Sequence, residues 1–207
     1  MISWLRGLWQ GPLGRTSRTP IAELAPGKIV KIVGRAYAVG APIVAPFTGR
    51  LAATLRVNGA RLEARNRGGP VEVPLDDVDH GHVFYVEDET GVAAVERSGW
   101  STLRVPGVQI TDAAEGNAAL HIEQYFGRYG QERRTFFDGF QGSVIYREWV
   151  VPEGATVAVL GAVEPARAPI ERPSTRGAYR DAPAPMALVP PGDFRIVVST
   201  DPRHAER

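Results

Sequence analysis

The sequence predicts an all-β fold, mainly strand with one helix, closed into a small barrel of the OB type. Three observations lead there. Gly 23 and Pro 17 among 207 residues are spread as punctuation, cutting the chain into short runs rich in β-branched residues. Those runs alternate with the period of two that a half-buried strand needs. Their order (glycine-bearing strand, hairpin, helix, strand, closing strand) is that of a five-stranded barrel whose helix plugs one end between the third and fourth strands. An irregular sandwich is the competing architecture.

The first strand spans Lys28–Tyr37, entered through a Pro26-Gly27 turn. Ile29, Lys31 and Val33 face one way and Val30 and Ile32 the other, so charge falls on one face alone. Leu51–Val57 reads as a second strand ended by Asn58-Gly59, a tight-turn dipeptide. Leu62–Val73 continues as weaker strand or loop, broken by Gly68-Gly69-Pro70. The clearest hairpin joins His82–Glu87 to Val92–Glu96 through Asp88-Glu89-Thr90-Gly91, which suits a type I turn with a left-handed closing residue. One helix is expected at Asn117–Tyr129, where Ile122, Tyr125, Phe126 and Tyr129 recur at helical spacing behind an Asn117 cap.

Ser143–Val151 and Thr156–Val163 are further strands, the second preceded by a Glu153-Gly154 turn. Glu164–Pro191 is rich in Pro, Ala and Arg without periodicity, and reads as a long loop. Phe194–Ser199 is the closing strand. Gly34 and Gly161 are expected where barrel strands bend and a side chain would clash. The organisation that follows is an amphipathic, flexible segment at 1–19, a barrel domain at 20–200 containing the 164–191 loop, and a polar tail at 201–207.

Composition narrows function mostly by exclusion. Lys+Arg 24 against Asp+Glu 23 leaves a net charge of +1, without the basic excess that phosphate neutralisation asks of a dedicated nucleic-acid binder. No cysteine is present, which removes disulfides, thiolate catalysis and Cys-ligated zinc. No apolar run approaches the roughly 18–20 residues of a spanning helix, and the first residues lack the form of a signal peptide. The expected location is cytoplasmic, with Trp4, Leu5, Leu8 and Trp9 as an apolar set able to meet a membrane surface or a partner's groove.

Candidate chemistry is sparse. Asp79, His80 and His82, inside the acidic segment 76–82, combine carboxylate and imidazole in a way that suits zinc or manganese. The competing reading of that segment is a solvated loop entering a strand. Asp88-x-Thr90-Gly91 reads first as a turn, in which Asp and Gly satisfy the backbone. Tyr129, Arg133, Arg134, Phe136, Phe137 and Phe140 form an aromatic–basic stretch that fits core packing, a protein contact or base stacking on an OB-type barrel. If the three phenylalanines share an exposed face, they mark a binding surface. No catalytic set and no cofactor motif is evident.

Several segments, in order, resemble the GIDE or BAM ("beside a membrane") domain family. Pro26–Ala36 resembles its opening strand, and Pro42–Arg50 its apolar-x-Ala-Pro-x-Thr-Gly turn. Phe84–Val95 is similar to its central hairpin, and Arg147–Gly161 to its Glu-x-x-apolar strand ending in Leu-Gly. With Phe194–Thr200 the likeness covers most of 20–200. It implies a barrel-like fold and a regulatory or scaffolding role, associated with membranes through partners. The cysteine-bearing strand of the family is here Leu51–Arg56 without cysteine, and a RING finger would need zinc ligands this chain lacks. The leading expectation is therefore a non-enzymatic protein-interaction module. An OB-type single-strand nucleic-acid binder is the first alternative. A metal-dependent hydrolase centred on 76–82 is the second.

Overall fold

The computed structural model describes residues 13–63, 69–97, 101–111, 144–167, 186–192 and 195–206. Among these residues are twelve strands: β1 (Ile29–Ala38), β2 (Ile43–Val44), β3 (Leu51–Glu63), β4 (Val71–His80), β5 (Val83–Glu87), β6 (Val92–Glu96), β7 (Ser101–Arg104), β8 (Gly107–Thr111), β9 (Val144–Pro152), β10 (Thr156–Pro165), β11 (Met186–Val189) and β12 (Ile196–Ser199). A 3-10 turn, Ile21–Glu23, precedes them and a short helix, α1 (Pro202–Ala205), follows. The helix expected at 117–129 lies outside the described residues, as do Trp4, Leu5, Leu8 and Trp9.

Five strands close into the expected barrel. β1 pairs β5, β5 pairs β6, β6 pairs β11 in parallel, β11 pairs β10, and β10 returns to β1. Numbered by chain order within the barrel, this is 1-2-3-5-4-1, the Greek-key closure of an OB-type fold. Alternation fills the inside: Val30, Ile32, Phe84, Val86, Ala93, Val95, Val157, Val159 and Leu188 are buried together. Each such aliphatic or aromatic side chain contributes roughly 1.5–3 kcal/mol on full burial. At Gly34 and Gly161 a side chain would clash, as expected. A Cβ at Gly34 would overlap the Glu87 carbonyl, and one at Gly161 would lie 3.0 Å from the Val189 carbonyl oxygen.

A second sheet was not legible in the sequence. β2, β3 and β4 are inserted between the first two barrel strands, and β8 and β9 between the third and fourth. They pair as β3 with β9 and β9 with β8, while β2 and then β4 run along the other side of β3. Val151 of β9 and Ala53 of β3 join the barrel core, which seats this sheet on the barrel. β7 pairs β12 at the barrel edge, and the chain then crosses at Val105-Pro106 into β8 of the second sheet.

Several expectations are corrected. Asn58-Gly59 is no turn: β3 runs through it, because pairing with both β4 and β9 holds it extended, and the irregularity is a register shift between Gly59 and Ala60. Segment 76–80, expected as loop, is the end of β4. Gly91 is not left-handed, since Asp88 already closes the turn by accepting from Thr90 N, Thr90 Oγ1 and Gly91 N. A Cβ at Gly91 would lie 3.3 Å from Ile21, so close packing accounts for the glycine. Within the expected 164–191 loop, β10 reaches Pro165 and β11 supplies the barrel's closing strand, with β12 following it along β10.

The 201–207 tail contains α1, capped by Asp201, whose carboxylate accepts from Arg203 N at 3.0 Å. Lys31, placed by alternation on the outer face of β1, is 0% exposed. Its Nζ donates to the carbonyls of Leu13 and His204 at 3.2 and 3.3 Å, so the segments flanking the barrel fold over it. A buried ammonium requires such acceptors.

Candidate functional site

The second sheet has two faces. Register places Arg56 of β3 beside Trp149 of β9, and Val57 beside Glu148. Side chains alternate, so Arg56 and Trp149 share one face and Val57 and Glu148 share the other.

On the first face, arginines reach across to the carboxylates of β4. Arg56 grips Asp77 through both Nε and Nη2, the former at 2.6 Å. Arg147 of β9 spans to Glu72 with two bonds of 2.7 and 2.6 Å, while its Nε donates to Gln109 of β8 at 3.2 Å. Arg97, just past β6, is 1% exposed. Its Nη2 meets Asp79, its Nη1 the Thr54 hydroxyl, and its backbone N–H the carbonyl of His82. Burial lowers the Arg97 pKa and Asp79 opposes that shift, as expected for a desolvated cation facing a carboxylate.

The sequence-singled Asp79, His80 and His82 are therefore brought close in the chain but not into one ligand set. Asp79 is engaged by Arg97. Gly81, at φ +69, turns the chain between β4 and β5, so His80 ends one strand and His82 precedes another. Burial first, and then His82, lowers the His80 pKa, with Asp79 raising it. Among the described residues no group of three or more His, Asp or Glu is placed to hold a metal ion.

On the opposite face, the turn 45–50 folds down over β3 and β9. Phe47 N donates to Glu148 Oε2 and the Thr48 hydroxyl to Oε1, both at 2.7 Å. Phe47 stands edge-on to Tyr146, with centroids 6.1 Å apart, above a small core of Ala45, Ala52, Leu55, Val57, Tyr146 and Val150. Two motifs quoted for the family resemblance thus meet: the Ala-Pro-x-Thr-Gly turn and the glutamate of β9.

That cover stops at β9. Beside it lies a cleft of about 340 Å³. It is lined by Val108 of β8 and Glu148 and Val150 of β9, by Thr48 and Arg50 of the turn before β3, and by residues of the connections around Pro106, Ala155 and Thr200. β8 borders the cleft. Pro106, Gly107, Val108 and Gln109 are exposed in succession, with Val108 42% exposed. β8 pairs with β9 on one side, and among the described residues nothing pairs with its other side.

Sequence reasoning passed over β8. Its signal was the alternation of Val108 and Ile110 with Gln109 and Thr111 after Pro106. The aromatic–basic candidates Tyr129, Arg133, Arg134, Phe136, Phe137 and Phe140 all lie outside the described residues. Asp88 serves its turn and also accepts from Ile21 N at 3.2 Å and from Arg18 at 3.3 Å. Ser199 Oγ lies 2.8 Å from His204 Nδ1, but both residues are buried. The same hydroxyl lies within hydrogen-bond distance of the Arg104 carbonyl and accepts from Asp201 N, a knot that ties α1 to the barrel.

Fold and site define a class: an OB-type barrel bearing a second sheet grafted into two of its connections, with a strand edge that is unpaired among the described residues beside a cleft. No family model matches the chain, and no curated protein or solved structure is significantly similar to it. Among the described residues no helix is long and apolar enough to cross a membrane.

Proposed function

We propose that the chain is a non-enzymatic, GIDE-like protein-interaction module that takes an extended segment of a partner protein as an added strand on β8. The carrying observation is the edge itself: a strand of five residues, none charged, whose Gly107, Val108 and Gln109 are exposed beside a cleft and which, among the described residues, is paired on one side. An open strand edge offers a row of backbone donors and acceptors, and peptide-binding domains use such edges by strand addition. The neighbouring cleft supplies what backbone pairing lacks, a place for alternate side chains.

The first alternative, single-strand nucleic-acid binding, draws less support. OB-type barrels present ligands to their second and third strands, here β5 and β6. On their outer face Tyr85, Val92 and Ala94 are buried with Ala187 and Val189. Exposed rings beside cations, the groups that stack bases, are not found on the described residues of these strands.

Hydrogen exchange on the full chain tests the reading, with the blocked peptide acetyl-Thr-Gln-Val-Gln-Thr-amide as probe. Added strand pairing slows exchange of amides within 107–111. Protection that appears only elsewhere, or that oligothymidylate produces in its place, would sink the proposal.

A further inference from the structure

We propose that the segment received by β8 is acidic and that Arg50 takes its carboxylate in the cleft. The inference rests on the edge-docking reading and adds the ligand's charge to it.

The argument starts from how the arginines are used. Arg18, Arg56, Arg97, Arg147, Arg167 and Arg203 each lie within 4.0 Å of a carboxylate of this chain. Arg50 and Arg104 do not: among the described residues neither has an acidic partner, and both are exposed. Arg50 lines the cleft. Arg104 ends β7 two residues before Pro106, and its carbonyl accepts from the backbone N–H of Thr200, another lining residue, at 3.4 Å. Arg35 of β1, exposed and likewise without an acidic partner among the described residues, stands opposite Thr156 in register; of these three arginines Arg50 is the one that lines the cavity.

The cleft's own acid does not cancel Arg50 at the surface. Glu148 is 1% exposed, and each of its carboxylate oxygens already accepts a bond, from Phe47 N and from the Thr48 hydroxyl. The exposed polar residues of the lining are Arg50 and Thr156, a cation and a hydroxyl, both able to donate to an anion. A strand laid along β8 sends every second side chain to the face that bears Val108, the face of the cleft. A Glu or Asp at such a position meets Arg50, and a carboxylate–guanidinium pair can form two parallel bonds in a partly enclosed space.

The test titrates the full, isotope-labelled chain with acetyl-Thr-Glu-Val-Glu-Thr-amide and its Gln and Lys counterparts, following the amide resonances of 107–111. The Glu peptide is expected to bind about tenfold tighter than the Gln peptide, the size of one charge-assisted contact, and the Lys peptide weakest. Arg50→Gln should erase the Glu preference while the Gln peptide still perturbs 107–111; Arg104→Gln should reduce the preference less. If wild type binds the Glu and Gln peptides equally, charge selection falls and edge docking stands. If Arg50→Gln leaves the preference intact, the assignment to Arg50 is overturned. If no peptide moves 107–111, both proposals fall. If oligothymidylate moves those amides through Arg50 and the Glu peptide does not, the cleft serves nucleic acid and the acidic-peptide proposal is wrong.

Discussion

Among the described residues the second sheet ends on one side in β4, which follows β2 along β3, and on the other in β8, and β4 and β8 are built in opposite ways. β4 carries Glu72, Pro74, Asp77 and Asp79 within ten residues. Proline removes a ladder donor and charge resists stacking, both familiar guards against unwanted strand pairing. Its carboxylates are further held by arginines from β9 and β3 and by Arg97 just past β6. β8, Gly107–Thr111, has neither charge nor proline. One sheet thus has a guarded edge and one left unpaired among the described residues, and beside the latter lie a cleft and Arg50. The contrast teaches that exposure of a strand edge is informative only beside a protected counterpart.

The strongest way to break the comparison is at Arg97. If β4 is fastened by its arginines, Arg97→Ala leaves Asp79 without its counter-charge and a void between barrel and sheet. Loss of one partner from such a buried pair costs about 3–5 kcal/mol, read as a lower denaturant midpoint. Asp79→Asn added to Arg97→Ala should recover part of that loss. A cost below about 1 kcal/mol, within the net range of a single ordinary hydrogen bond, would show that backbone pairing alone holds β4.

Val108→Lys addresses the other edge. A lysine on an exposed strand edge opposes added strands, so peptide binding at 107–111 should weaken by at least about tenfold, some 1.4 kcal/mol. Stability should move by no more than about 0.5 kcal/mol, as for surface positions generally. Were Val108→Lys to destabilise as strongly as Arg97→Ala, β8 would be a structural strand like β4 and the contrast would be empty.

The barrel was readable from the chain because its strands are local signals. Val30 and Ile32 alternate against their neighbours, Asp88 and Gly91 bracket a hairpin, and Gly34 and Gly161 mark places too crowded for a side chain. The closing strand was misplaced because Met186-Ala187-Leu188-Val189 is only four residues between prolines, and its partner is parallel β6, far away in sequence. The second sheet escaped for a related reason. Asn58-Gly59 is a strong turn dipeptide locally, yet β3 is paired on both sides, and that tertiary pairing overrides it. The acidic segment 76–82 invited a metal because carboxylate and imidazole types are visible in sequence, while the arginines that claim Asp77 and Asp79 come from β3 and from just past β6. The cleft is assembled from four separate connections, and no run of residues announces it.

Acid should separate the edges more gently. The pKa of His80, at the end of β4, lies below its ordinary 6.5 because burial, and then His82, disfavours the imidazolium, although Asp79 favours it. As pH falls below about 6.5 the unfolded form takes up the proton first, so stability that is complete above that value is lost progressively through the folded-state value. β8 contains no titratable group. Lowering pH from about 7 to 5, the range over which histidine switches, should therefore speed amide exchange at 77–80 relative to 107–111, once intrinsic rates are corrected. His204, lowered by burial in the same direction, acts at α1, which is why the measurement must be local. His80→Gln should flatten the difference between the two segments; an unchanged difference would move the acid sensitivity away from β4.

The smallest expected effect asks what β4's outer charges are for. Arg56 and Asp77 form a bidentate pair, yet their side chains remain 34% and 46% exposed. The Asp77 hydrogen bond raises the Arg56 pKa against the opposing effect of burial. Pairs in such settings couple by about 0.2–1 kcal/mol, and salt weakens them. A double-mutant cycle of Arg56→Gln and Asp77→Asn should return a value in that range that shrinks with added salt. Coupling above about 2 kcal/mol, insensitive to salt, would make Asp77 as structural as Asp79, since only well-shielded pairs behave so. Coupling near zero would leave Asp77 with the guarding role alone, where its charge acts on strands that are never admitted rather than on the one it belongs to.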